Sequence, residues 1–182
     1  MKMSNTKAFT MIEIVIVIFI TGIIGSMAAS LLYQGADIYV DETDRQGFVS
    51  ESRSAFWRLM RETQGQRNSE DFNQSGQENL KLKNANNISR EFRINSGGLE
   101  LSLDGSNYSD LSNAVSSNNF YFYNNIYNDI TPSSTGSLTL LEAESVHLTK
   151  LKLTFQKGPD TISLSSYIYP INFRFGKKMS YH

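Results

Sequence analysis

Nineteen consecutive residues without a charge, Ile14 to Leu32 (IVIVIFITGIIGSMAASLL), constrain this chain more than any other feature. As a helix rising 1.5 Å per residue the run is roughly 28 Å long, enough to cross the hydrocarbon core of a bilayer. Lys2 and Lys7 precede it in a segment free of acids, whereas Asp37, Asp41, Glu42 and Asp44 follow it. The positive-inside rule then predicts a cytoplasmic N-terminus, with the remainder of the chain across the membrane. A conventional secretory signal has a shorter apolar core, ~7–15 residues, closed by a small-x-small cleavage site. The segment MAAS inside the run keeps that reading open beside a plain single-pass anchor.

Neither alternative accounts for Glu13, an acid at the head of the apolar run in Phe9-Thr10-Met11-Ile12-Glu13-Ile14. A carboxylate at the centre of a membrane helix costs ~2.5–3.5 kcal/mol on insertion scales, less near the interface, and usually marks a function with a partner. Cleavage after Ala8 would place a new α-amino group on Phe9, in the same apolar layer. In a bundle of such helices, one subunit's amine would neutralise its neighbour's Glu13, so that both charges are satisfied only on assembly.

The run Lys7-Ala8-Phe9-Thr10-Met11-Ile12-Glu13 resembles the prepilin cleavage and methylation motif of type IV pilins and type II secretion pseudopilins. The resemblance implies removal of residues 1–8 by a membrane prepilin peptidase and N-methylation of Phe9. It also implies an assembly role for Glu13, and docking on an inner-membrane assembly platform and on other pilin subunits after residence in the lipid bilayer. The residue usual before the cut in this family is Gly, whereas Ala8 stands here. Gly22, Ser26 and Ser30, spaced by four, add a small-residue stripe along which membrane helices approach closely. Many major pilins carry a Pro in this helix; here the first Pro is Pro132.

Beyond the apolar run the pattern remains helical to Gln66 and becomes amphipathic, with Phe48, Val49, Ser52, Ala55, Phe56, Leu59, Met60 and Thr63 at three- and four-residue steps. From Leu80 the period falls to two. Leu80–Leu82, Phe92–Ile94, Leu99–Leu103, Phe120–Tyr123 and Leu138–Leu141 read as strands, and Ser96-Gly97-Gly98 as a turn. A hairpin sets Leu151, Leu153 and Phe155 against Ile162, Leu164 and Ile168 across Lys157-Gly158-Pro159-Asp160. Ser/Asn-rich stretches at 68–77, 106–119 and 124–136 read as surface loops. The expectation is an α+β, pilin-like fold: a long N-terminal helix covering one antiparallel sheet. Its divisions are a leader (1–8), an assembly half of the helix (9–33), an amphipathic half (34–66) and a β-rich domain (67–182).

The 182 residues carry 17 Lys plus Arg against 18 Asp plus Glu, so net charge advertises no nucleic acid, and Lys177-Lys178 is too small a basic feature to do so. The absence of cysteine excludes disulfides and thiolate chemistry. With only His147 and His182, and no HExxH, phosphate loop or nucleophile elbow, the chain reads as a non-enzyme without cofactor. The loop Asp104-Gly105-Ser106-Asn107-Tyr108-Ser109-Asp110 offers oxygen donors for calcium through Asp104 and Asp110, though these are equally turn residues. Phe120-Tyr121-Phe122-Tyr123 is either a packed strand or a binding surface. The segment Arg53 to Glu62 is loosely similar to the second helical half of minor pilins and J-type pseudopilins. With the C-terminal cysteine pair of major pilins absent, it points to a minor subunit of a pilus or pseudopilus. The alternative is a membrane-anchored periplasmic binding module.

Overall fold

The computed structural model describes residues 9–175. Its first element is a single α-helix, α1, from Met11 to Gln64. The chain divides into two compact units, Met1–Gln46 and Gly47–His182. In the first, every described residue is exposed, from Phe9 through the isoleucines and valines of the apolar run. In the second, α1 buries Phe48, Ser52, Ala55, Phe56, Leu59 and Thr63, the face that the three- and four-residue spacing selects.

That face packs on two antiparallel sheets, where one was expected. The first holds β1 (Asn79–Lys83), β2 (Ser89–Asn95), β3 (Gly98–Ser102) and β4 (Tyr108–Ser112) in the order β1-β2-β3-β4; the second holds β5 (Val115–Tyr123), β6 (Leu148–Lys157) and β7 (Asp160–Ile168) in that order. Alternation identifies a strand's inward face but not its neighbour, so the break between β4 and β5 is invisible to it. After β4 the chain turns away: the Val115 N–H donates to Gly97 O at 2.7 Å, the Gln156 N–H donates to Ala114 O at 2.7 Å, and β5 then pairs with β6. The register places Leu80 opposite Phe92 and Phe92 opposite Leu101 in one sheet, and Leu153 opposite Leu164 and Phe155 opposite Ile162 in the other. These inward rows and the buried face of α1 form one hydrophobic core. Each fully buried Leu or Phe contributes ~1.5–3 kcal/mol relative to exposure.

Both predicted turns are present. β2 and β3 join through Ser96 and Gly97, whose φ angles of 50° and 81° match the right-handed strand twist that two-residue hairpins require. β6 and β7 join through Gly158 and Pro159, with Lys157 paired to Asp160.

Three local expectations are corrected. Leu138–Leu141 is not a strand: Leu138 is buried, Thr139 caps a short helix, α2 (Leu140–Ser145), and Leu140 and Leu141 are exposed. The stretch 106–119 is not a loop throughout, since it supplies β4 and the first half of β5. Within 68–77 a 3-10 helix (Ser69–Phe72) carries Phe72 into the core, edge-on to Phe122 at 5.7 Å. The close backbone approach there explains Gly76, where a Cβ would stand 2.7 Å from Gly136 O.

Candidate functional site

The segment where sequence concentrates chemistry begins at Phe9, exposed and two residues before the start of α1. Thr10 lies outside the helix and starts it. Its backbone N–H donates to Glu13 Oε2 at 2.8 Å, its hydroxyl donates to the same oxygen at 2.9 Å, and the Glu13 N–H faces Thr10 Oγ1 at 3.4 Å. This is a reciprocal capping box: two of the N–H groups that a helix start leaves without partners are met by side chains. The Thr-x-x-Glu spacing was visible in the sequence, and Thr10 is the functional neighbour that a reading centred on charge overlooked.

From Ile14 through Gln46 no described residue covers the helix. It is long and apolar enough to cross a membrane, and none of its most apolar stretch is buried in the structure. Two of the polar side chains within it turn back on their own backbone, Thr21 donating to Val17 O at 2.7 Å and Ser26 to Ile23 O at 2.8 Å, which satisfies their hydroxyl donors. Around Gly22 and Gly25 a Cβ would meet nothing within 4 Å, which leaves that face open. Ser30 accepts a long hydrogen bond, 3.4 Å, from Gln34. Phe9, Glu13, Gly22, Ser26 and Ser30 therefore all lie on or beside one uncovered helix; Ala8 lies outside the described residues.

The remaining candidates are distributed over the domain. Asp104 accepts from the backbone N–H groups of Asn107 and Ser106, each at 2.8 Å, and from the Asn107 side chain at 2.7 Å. Those bonds hold its carboxyl well below the usual carboxylate range. Asp110 is an exposed residue of β4. No group of three or more His, Asp or Glu side chains gathers as a metal site among the described residues. His147 sets its ring edge-on to Tyr169 at 4.8 Å while its N–H donates to Tyr123 O. In the aromatic strand Phe120 and Phe122 are fully buried, whereas Tyr121 points outward beside Lys150, whose Nζ lies 5.5 Å from its ring and 5.0 Å from that of Tyr167. Lys177, Lys178 and His182 lie outside the described residues.

An apolar helix uncovered through Gln46, begun by an acid and continued into an α+β domain, is a pilin-like arrangement. A family model described as the prokaryotic N-terminal methylation motif matches residues 3–29. That match, confined to the N-terminal segment, supports a relation to the type IV pilins and pseudopilins, a structural class, and indicates a prepilin peptidase substrate; a motif of this type implies assembly with other pilin subunits. The apolar helix fits a membrane-anchored pilin. No curated protein matches the chain.

Proposed function

We propose that this chain is a structural, non-enzymatic subunit, of the minor pilin or pseudopilin type, in a type IV pilus or type II secretion-like filament. The prepilin peptidase cuts after Ala8 and methylates Phe9. The precursor crosses the inner membrane once with its N-terminus cytoplasmic and its domain periplasmic. On assembly the Phe9 amine pairs with Glu13 of a neighbour. The observation that carries the reading is an acid heading a helix whose described residues through Gln46 bury nothing in their own chain.

Mass spectrometry of the N-terminus tests it: a methylated Phe9 is expected, and an intact Met1 overturns it. Ala8→Glu is expected to block processing, seen as a precursor that does not shift on a gel. The capping box favours a second reading, a domain on a plain anchor, because it gives Glu13 hydrogen-bond partners without a neighbour. The charge-removing variant discussed below separates the two.

A further inference from the structure

Trp57 is the only tryptophan in the chain, yet it stands on the outer face of α1 with 67% of its surface exposed. Arg53 and Arg61, at i−4 and i+4, share that face and are exposed as well. Arg58, one position round the helix, is held by Glu62 at 3.0 Å, but among the described residues neither Arg53 nor Arg61 enters an ion pair. A bare indole between two uncommitted guanidinium groups is the composition that recurs at the energetic centre of protein interfaces.

The complementary surface lies in the other unit of the same chain. Asp37, Asp41 and Asp44, spaced i, i+4 and i+7, form one exposed stripe of α1, and among the described residues none of the three enters an ion pair. Tyr33 and Val40, 69% and 57% exposed, flank that stripe with apolar surface.

We infer that the Arg53–Trp57–Arg61 stripe receives the Asp37–Asp41–Asp44 stripe of a second copy of this chain. The guanidinium groups meet the carboxylates, and the indole lies against Tyr33 and Val40. Exposed ion pairs are individually weak, so the buried indole holds the contact while the charges set its register. Each copy offers one surface of each kind, which makes the contact head-to-tail: the second copy's own Trp57 face stays open for a third. The inference rests on the filament reading and adds to it a side contact outside the apolar helix.

The absence of cysteine makes the test clean. Full-length Ser54→Cys and Asp41→Cys chains are co-expressed in cells that process the leader, then mildly oxidised; Ser54 is exposed one turn from Trp57, so the indole is kept. The expected result is a disulfide-linked dimer of the two variants, at least fivefold more abundant than for Ser54→Cys paired with a control Ser165→Cys on β7. Adding Arg53→Glu and Arg61→Glu to the first chain should abolish the excess, and adding Asp37→Lys and Asp44→Lys to the second should restore it. The inference is overturned if the dimer is no more abundant than the control, if charge reversal leaves it unchanged, or if the compensating reversal fails to restore it. Processed, N-methylated chains in filaments without the cross-link overturn this contact and leave the filament reading standing. Retention of Met1 overturns both.

Discussion

The starts of α1 and α2 are built alike and placed differently. Thr10 and Glu13 reproduce, bond for bond, the cap formed by Thr139 and Glu142: 2.8 Å from the backbone N–H and 2.9 Å from the hydroxyl to the carboxylate, and 3.4 Å for the return contact. The helix around Glu142 is only six residues long, with Ala143 buried and Leu138 and Val146 buried on either side of it. Behind Glu13 lies a helix of bare aliphatic side chains. The same local chemistry therefore serves as a fold-internal fastening in one place and, by our reading, as a charge held ready for a neighbour in the other. A capping box explains why a carboxyl group is geometrically suited to that position; it does not require the carboxyl to be charged.

Removing the charge while keeping the cap breaks the comparison most sharply. Glu13→Gln retains a residue suited to the box, so helix start and membrane insertion should persist. Breaking a buried charge pair typically costs ~3–5 kcal/mol, so incorporation into filaments should fall by at least about tenfold, read as the ratio of filament to membrane protein. Glu13→Val should be no better. Equal filament content for Glu13→Gln and the parent chain would reduce Glu13 to a cap and favour the plain anchor.

The mirror substitution should have a smaller and different effect. Thr139→Ala removes the cap of α2 and is expected to destabilise the domain by ~1 kcal/mol in denaturant unfolding, with leader processing unaffected. Thr10→Ala should leave the domain's unfolding midpoint unchanged, because no described residue before Phe48 belongs to the core.

The smallest effect is in pH dependence. The Glu142 carboxyl is held below its usual value, first by the Thr139 backbone N–H and then by its hydroxyl. A depressed folded-state pKa means that the cap's contribution is fully present above the unfolded carboxyl's pKa and is lost as pH falls through the folded one. The parent domain should therefore lose slightly more stability than Glu142→Gln over that acid window. Parallel stability curves would show that the charge on Glu142 adds nothing to its hydrogen bonds.

The same contrast explains what was legible in the sequence. The long helix, the β6–β7 hairpin and the inward rows of β1, β2 and β3 follow from periodicity, because burial of alternate or every third and fourth residue leaves its mark on side-chain type. β4 was missed because Tyr-Ser-Asp-Leu-Ser has a single aliphatic residue and exposes its two middle polar residues, Ser109 and Asp110. Phe72 was missed because one aromatic residue in a polar run carries no period. Leu138 to Leu141 was misread because period two was weighed ahead of Thr139 and Glu142, whose spacing announces a helix start. At the candidate site the acid was legible from its surroundings, whereas its link to Thr10 depends on a backbone geometry that charge arguments do not reach.

Among the described residues every side chain in the hydrophobic core comes at or after Phe48, and those through Gln46 bury none of their own. A gene fragment opening just before Phe48 thus encodes the whole packed interior and none of the greasy stretch that would demand detergent. The same economy applies over evolutionary time: the exposed surfaces of the domain away from the Arg53–Trp57–Arg61 stripe are free to diversify without disturbing the addressing segment, because the two draw on different residues.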